Sequence, residues 1–300
     1  MIDLFDCVLP HGISLSCRGF GSPRAARRVV LLHGFPEGAF IWDVVMAGLI
    51  SVARCVAPNL RGYERSSSPL GVKAYRAKHV VADIAALIES IGAPIDLLVA
   101  HDWGGAVAWN LAAQQPELMK QLLIINSPHP ATFLRELRDS PVQQAASAYM
   151  NFLCREDAAA LLAENDFERL WPFFTNMGGA PWLDEARRAQ YRALWREGLE
   201  GALNYYRASP LRPPTAPCDA IHRLVFPPGF VNVKVPTTVL WGDADTALPI
   251  TLLDGLAGFV EQIDIQRVPG ASHWIVDEQP GLLIGTIARM LAVTPPRTDP

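Results

Sequence analysis

The sequence predicts an α/β protein with a mostly parallel central sheet, helices on both faces and a helical insertion. Two observations predict this class. Short, continuously apolar segments alternate with amphipathic segments from residue 28 to 125, and the alternation returns from residue 235. Continuous apolar strands are typical of a parallel sheet that is buried on both faces. Between these parts, residues 131–221 carry helical patterns and many aromatic residues but no segment that predicts a strand.

Each predicted element follows from a local pattern. Residues 8–15 alternate around turn residues and predict a β-hairpin. Apolar residues on one helical face of segment 80–91 predict a helix that stops at Gly92. The remaining elements are strands at 28–32, 55–57, 95–100, 122–125, 235–241 and 263–268, and helices at 104–114 and near 282–291. The tail, residues 294–300, is predicted to be disordered.

Composition and charge exclude several classes of protein. The chain has 300 residues, of which 50% are hydrophobic and 19% charged, as in a globular protein. A net charge of -4 without a Lys/Arg-rich segment argues against a nucleic-acid partner. The five cysteines form no CxxC pair, which argues against a zinc site or a disulfide framework and favours a reducing compartment. With no evident signal peptide or membrane span, we expect a cytoplasmic protein that does not bind membranes.

The strongest chemical signal lies in the segment from Val99 to Gly105. An apolar strand runs into a sharp turn that a helix follows, which is the context of a nucleophile elbow. Ala100 and Gly104 are the small residues that let the strand and helix backbones approach each other. The nucleophile position holds Asp102, and a carboxylate nucleophile attacks carbon to form an alkyl ester. The alternative is that Asp102 only caps the helix.

An earlier turn contributes to the same predicted site. The first parallel strand ends in His33-Gly34-Phe35-Pro36, and such a turn can aim the backbone N–H of Phe35 at the elbow. With the N–H of Trp103 it would form an oxyanion hole, in which one donor is worth about 3 kcal/mol in the transition state. The alternative is an ordinary turn at the end of a strand.

Two later segments supply an acid and a histidine. Asp245 follows the strand at 235–241, and His273 follows the last strand, so the chain order is nucleophile, acid, histidine. His273 is the candidate general base because its ordinary pKa lies near working pH. Asp245 is the candidate for orienting it, and Asp243 is the competing acid.

Taken together, these segments resemble the α/β-hydrolase-fold epoxide hydrolases and their relatives, the haloalkane and haloacetate dehalogenases. The resemblance covers nearly the whole chain, including Asn59 to Tyr63, with Asn59 and Ala100 where the family usually has Asp and Gly. It implies an α/β-hydrolase core at 1–128 and 234–300, with a helical cap and connecting loop at 129–233.

The resemblance also implies two tyrosines in the cap that donate protons to the epoxide oxygen. The matching positions are Tyr149 and Tyr206, and a phenol with a pKa of about 10 can donate at neutral pH. Tyr205 lies about 100° around the helix from Tyr206, so only one of the two can point into the site. The alternative is that these tyrosines only pack within the cap. Pro36 and Trp103 are expected to contact the substrate.

A dehalogenase fits the residues less well. Fluoroacetate dehalogenase-like enzymes have an Arg directly after the nucleophile, where this chain has Trp103. Some haloalkane dehalogenases carry their acid after the sixth strand, where this chain has the neutral Asn126. A catalytically silent ligand-binding protein on the same fold is a further alternative. A Ser esterase is contradicted by Asp102, since it needs Ser at the elbow.

The expected reaction has two steps and requires no cofactor and no metal. Asp102 opens a small apolar epoxide-like substrate, and His273 then activates water to hydrolyse the ester to a diol. His33 and His101 are expected to support the site through hydrogen bonds. Five aromatic residues suggest an apolar cavity in the cap: Trp171, Phe173, Phe174, Trp182 and Trp195. The sequence leaves open the natural substrate and whether the chain forms a homo-oligomer.

Overall fold

A mixed sheet runs through the computed structural model, which describes residues 2–176 and 180–293. Within that part of the chain, its eight strands are β1 (Asp3–Val8), β2 (Ser14–Phe20), β3 (Arg28–Leu32), β4 (Arg54–Pro58), β5 (Leu97–His101), β6 (Leu122–Ile125), β7 (Thr237–Gly242) and β8 (Ile263–Val268). Their order in the sheet is β1-β2-β4-β3-β5-β6-β7-β8. β2 pairs antiparallel with β1 and β4, and the other neighbouring pairs are parallel. The predicted fold class is therefore confirmed.

The predicted strands at 28–32, 122–125 and 263–268 coincide with β3, β6 and β8. β5 begins at Leu97 rather than at 95, because Ile95 makes only an isolated bridge to Met119. The predicted hairpin at 8–15 is the turn between β1 and β2, whose strands extend further on both sides. The tail at 294–300 lies outside the described residues.

Helices cover both faces of the sheet. α1 (Asp43–Gly48) and α12 (Pro280–Val293), which follows the short α11 (Ile275–Glu278), pack on one face. α2 (Ala77–Ile91) and α3 (Asp102–Gln114) pack on the other. Along β5, Leu97 and Val99 belong to the core between the sheet and α1 and α12. Leu98 and Ala100 belong to the core between the sheet and α2 and α3. Because side chains alternate across a strand, a sheet covered on both faces needs continuously apolar strands.

A series of helices lies between β6 and β7, and we call residues 130–208 the insertion. Its helices in the described residues are α4 (Pro130–Asp139), α5 (Pro141–Ala146), α6 (Tyr149–Leu153), α7 (Ala158–Phe167), α8 (Trp171–Asn176), α9 (Glu185–Arg196) and α10 (Glu200–Ala208). Side-chain caps from His129, Ser140 and Asp184 begin α4, α5 and α9. No helix within residues 2–176 and 180–293 is long and apolar enough to cross a membrane.

An aromatic cluster joins the insertion to the sheet. The ring of Phe174 lies 4.6 Å from that of Tyr191 and 4.5 Å from that of Trp274, which directly follows His273 in the chain. Tyr191 in turn stacks on Trp195 at 5.5 Å. These rings are buried, so they hold the insertion over the carboxyl ends of the strands by apolar packing.

Candidate active site

The turn from β5 into α3 gives Asp102 an unusual backbone conformation. Its φ of 48° lies in the left-handed region that few side chains adopt, so the surrounding structure must hold it there. At Gly34, a Cβ would overlap the Cβ and the carboxylate of Asp102. At Gly104, a Cβ would lie 2.7 Å from the carbonyl oxygen of His33. Larger residues at either glycine therefore conflict with the elbow.

The carboxylate of Asp102 is held by backbone donors. The Phe35 N–H donates to its Oδ1 at 2.7 Å, and the backbone N–H of Trp103 also stabilises the carboxylate. Burial raises the pKa of Asp102, while the imidazoles of His273 and His101 and these two N–H groups oppose the rise. The two donors expected from the sequence thus converge on Asp102.

His273 lies between Asp102 and Asp245. Its Nε2 is 3.8 Å from Asp102 Oδ2, and its Nδ1 is 2.7 Å from Asp245 Oδ2. Burial alone would lower the pKa of His273, but the carboxylates of Asp245 and Asp102 raise it to about 9. The competing acid, Asp243, instead accepts the Gly270 N–H at 2.6 Å on the exposed side of the loop.

The orientation of Asp245 depends on Asn126, whose neutral side chain was predicted only to be unable to serve as the acid. Asn126 donates its side-chain N–H to Asp245 Oδ2 at 2.6 Å and accepts the Gly242 N–H at 3.0 Å. The N–H groups of Ala247 and Leu248 donate to Asp245 Oδ1 at 2.9 Å each. With Nδ1 of His273, these donors fix the carboxylate so that it faces the imidazole.

Both expected tyrosines of the insertion face the nucleophile. The rings of Tyr149 and Tyr206 lie 6.2 Å apart, and that of Tyr206 contacts Phe35 at 5.2 Å and Trp103 at 5.0 Å. Burial raises the pKa of both phenols, and the negative charge of Asp102 adds to the effect. The ring of Tyr205 also lines the cavity, but its hydroxyl donates to the Arg61 carbonyl at 3.0 Å.

A cavity of about 500 Å³ opens above Asp102. Its wall includes Trp103, Tyr149 and Tyr206 beside apolar side chains of α2, α3 and the insertion. The five aromatic residues of the insertion predicted an apolar cavity and left open which of them face it; none of the five is among the described residues that line it. Phe174 and Trp182 instead pack against Trp274, on a side of the insertion that is buried by apolar contacts. Pro36 also lies outside the lining, and its carbonyl accepts the Trp195 indole N–H at 2.7 Å.

Glu37 and His101 form a buried pair behind the site that the sequence did not predict. His101 Nδ1 lies 2.9 Å from Glu37 Oε2, and its Nε2 lies 2.9 Å from the His273 carbonyl oxygen. Burial alone would raise the pKa of Glu37, but the His101 imidazole holds it below its ordinary value. His33, also buried, accepts the Leu60 N–H at 3.1 Å. The position of Glu37 directly after the turn at 33–36 was the one sequence feature that could have pointed to its role in the site.

Among the described residues, no group of three or more His, Cys, Asp or Glu side chains has an arrangement that could hold a metal ion. The groups that the site brings together are the Asp102 carboxylate, the His273 imidazole with its acid, two backbone N–H donors and two phenols. This set suits attack on carbon followed by hydrolysis of an ester.

Comparison with known proteins gives one consistent family. The family model described as alpha/beta hydrolase fold matches residues 27–280. Epoxide hydrolase 4 of Mus musculus is 29% identical over 272 residues, which cover 86% of this chain and 71% of that protein. The AB hydrolase superfamily protein YfhM of Bacillus subtilis (strain 168) is 32% identical over 259 residues, covering 85% of this chain and 86% of that protein. An epoxide hydrolase structure from Bacillus megaterium, in complex with an inhibitor, matches with a TM-score of 0.87 and 29% identity over 96% of this chain and 100% of that chain.

Proposed function

The chain belongs to the α/β-hydrolase fold family, and we propose that it is an epoxide hydrolase that forms a covalent ester on Asp102. The observation that carries this proposal is the position of the Asp102 carboxylate. It accepts the Phe35 N–H at 2.7 Å, and its other oxygen faces His273 at 3.8 Å on the wall of a cavity that Tyr149 and Tyr206 also line.

In the first step, Asp102 attacks a carbon of the oxirane ring and the C–O bond to the ring oxygen breaks. The leaving alkoxide needs a proton, and the phenols of Tyr149 and Tyr206 supply hydrogen bonds and that proton. Because burial raises their pKa, both phenols stay protonated at neutral pH. A halide leaving group needs no proton, so the pair of phenols favours an epoxide over a haloalkane or haloacetate.

In the second step, His273 removes a proton from water, which attacks the carbonyl carbon of the ester. In the free enzyme, the charge of Asp102 helps to hold the pKa of His273 at about 9. Ester formation removes that charge, so the pKa of His273 falls when a base is needed. The N–H groups of Phe35 and Trp103 stabilise the tetrahedral oxyanion, and Asp245 stabilises the imidazolium. When the intermediate collapses, the bond between the ester carbonyl carbon and the alkyl oxygen breaks. The two protons of the water pass to the departing diol oxygen and to the tyrosine phenolate, which restores the Asp102 carboxylate and neutral His273 as the diol leaves.

The proposal includes a division of the chain and a location. Residues 129–233 would act as the cap over a core of 1–128 and 234–300, which is supported by the two tyrosines that helices α6 and α10 direct at Asp102. A cytoplasmic location is supported by five cysteines that are all free. We propose no metal and no cofactor for the reaction.

A panel of four substrates tests this function: styrene oxide, an aliphatic epoxide, a haloalkane and a haloacetate. We expect diol formation from an epoxide by the wild-type chain and none by Asp102→Asn. Release of halide faster than formation of diol would assign the chain to the dehalogenases instead. Specific binding of an epoxide without turnover would indicate a ligand-binding protein.

A further inference from the structure

The chain that leaves β6 passes between the acid and the nucleophile. β6 ends at Ile125, and the residues that follow it, Asn126 and Ser127, are both buried. Asn126 donates to the carboxylate of Asp245. Ser127 serves the other side, because its hydroxyl donates to the backbone carbonyl oxygen of Asp102 at 2.6 Å. The end of β6 is therefore bonded to the acid through one residue and to the nucleophile through the next.

The hydrogen bond from Ser127 depends on a close approach between the end of β6 and α3. At Gly105, a Cβ would overlap the side chain of Ser127, so glycine at this position leaves the hydroxyl its place. The carbonyl oxygen of Ser127 in turn accepts the indole N–H of Trp109 at 3.1 Å, further along the same helix. Ser127 is buried, and a hydrogen bond in such surroundings is stronger than in water. The start of α3 is thus fixed to the end of β6.

The carbonyl group that Ser127 holds belongs to the same peptide unit as the N–H of Trp103. A peptide unit is planar, so the direction of this N–H follows the direction of the Asp102 carbonyl. The Trp103 N–H stabilises the Asp102 carboxylate and is a donor of the proposed oxyanion hole. The φ of Asp102 is 48°, a conformation that the surroundings must hold. A hydrogen bond to the carbonyl restricts rotation of the peptide plane and polarises the unit, so the N–H donates more strongly.

We propose that Ser127 is a positioning residue for ester hydrolysis, whose hydroxyl fixes the peptide unit of Asp102 and Trp103 so that the Trp103 N–H points at the developing oxyanion. This inference rests on the proposed function. In the first step, negative charge leaves the Asp102 carboxylate, so a loosened N–H donor does not slow that step. In the second step, negative charge develops on the ester carbonyl oxygen, and the donor must already be in place. The effect of Ser127 therefore falls on the second step.

The first test removes the hydroxyl with Ser127→Ala and follows the two steps separately, by rapid quenching and intact-protein mass spectrometry. Complete loss of an oxyanion-hole donor lowers a rate about a hundredfold or more; Ser127→Ala keeps the donor but loosens it, so we expect decay of the ester to slow about tenfold. Formation of the ester should keep its wild-type rate.

Thr237→Val is the matched control for the loss of a buried hydroxyl. The hydroxyl of Thr237 donates to the Val235 carbonyl at 2.8 Å. Thr237 begins β7, so it lies at the opposite edge of the sheet from the elbow. Both variants lose one hydrogen bond to a backbone carbonyl and should lose stability in urea unfolding. Thr237→Val should nevertheless keep the wild-type rates of both steps.

A second test measures the direction of the N–H bond and needs no turnover. The pair Asp-Trp occurs only at Asp102-Trp103 in this sequence. Labelling Asp carbonyls with ¹³C and Trp with ¹⁵N therefore gives one NMR signal that carries both labels. The residual dipolar coupling of its N–H depends on the direction of that bond. We expect this coupling to change in Ser127→Ala and to stay unchanged in Thr237→Val.

The two tests separate the role of Ser127 from the proposed function. Equal slowing of both steps in Ser127→Ala, or an ester that decays at the wild-type rate, overturns the positioning role. An unchanged dipolar coupling in Ser127→Ala also overturns it, whether or not the chain hydrolyses epoxides. A changed coupling in a chain that hydrolyses no epoxide supports the orientation of the Trp103 N–H by Ser127, and only the proposed function then fails.

Discussion

Tyr206 offers the sharpest separation between chemistry and packing in this site. Replacing it by Phe removes the hydroxyl and leaves the ring contacts with Phe35 and Trp103, at 5.2 and 5.0 Å, in position. The fold should therefore keep its stability. The alkoxide of the opening epoxide loses one of two hydrogen-bond donors, and the loss of one such donor lowers a rate by about a hundredfold or more. We expect the alkylation step to slow by about a hundredfold.

The neighbouring residue provides a matched control. Tyr205 is equally buried, but its hydroxyl donates to the Arg61 carbonyl at 3.0 Å. Tyr205→Phe removes that hydrogen bond and should cost about 1 kcal/mol of stability, without a comparable effect on alkylation. Tyr206→Phe should therefore slow alkylation without lowering stability, and Tyr205→Phe should lower stability without slowing alkylation.

The assay measures the alkylation step alone. In a His273→Gln background the ester persists, so rapid quenching and intact-protein mass spectrometry follow its formation, while urea unfolding gives the stability. Equal slowing of alkylation in Tyr205→Phe and Tyr206→Phe would mean that the tyrosines act only by packing. No slowing in Tyr206→Phe would remove it from the mechanism.

Three further predictions concern the second step and its supports. His273→Gln should accumulate a protein heavier by the mass of one epoxide; absence of this species with every epoxide and haloalkane tested contradicts covalent catalysis. Because the pKa of His273 is raised from 6.5 to about 9, its charged form stabilises the fold fully below about pH 6.5, and this contribution is lost as pH rises through 9. In urea unfolding, the free energy of unfolding of wild type should therefore exceed that of His273→Gln by less and less as pH rises across that range. A difference that grows with pH would contradict the prediction. Asn126→Leu removes one of the donors to Asp245 and leaves the Gly242 N–H without its side-chain acceptor. Stability should therefore fall by about 1–3 kcal/mol and ester hydrolysis should slow more than alkylation; single-turnover kinetics showing the opposite order would contradict the positioning role.

The elbow was predictable from sequence because its constraints are local. A strand, a sharp turn and a helix with small residues can be recognised within a few positions of Asp102. Gly34 and Gly104 are explained by close approach of backbone and carboxylate at the same turn. The helix begins at Asp102, two residues before the predicted start at 104.

Residues whose importance arises from distant pairing could not be predicted in the same way. Asn126 reaches Asp245 only because β6 and β7 are parallel neighbours in the sheet. Glu37 follows a turn and would ordinarily be exposed, yet His101 from another strand buries and pairs with it. The polar character of each residue was visible in the sequence, but its surroundings were not.

The positions of the aromatic side chains of the insertion could not be predicted from the sequence either. Their number predicts an apolar surface, but not which surface the sheet covers. Phe174 packs against Trp274, and Trp195 packs against Phe174. The cavity is lined instead by side chains that include Val81 and Val107. The burial of large rings against the sheet removes more apolar area from water than an open cavity does, which explains the outcome.

The central claim, direct attack by the Asp102 carboxylate on carbon, is tested most directly by a single turnover in water labelled with heavy oxygen. With enzyme in excess over epoxide, the attacking carboxylate oxygen leaves with the diol, and water replaces it at the carboxylate. Proteolysis and mass spectrometry should find the label in the peptide that contains Asp102 and an unlabelled diol. Label in the diol with an unlabelled Asp102 would mean that water attacks the epoxide directly and would contradict the covalent mechanism.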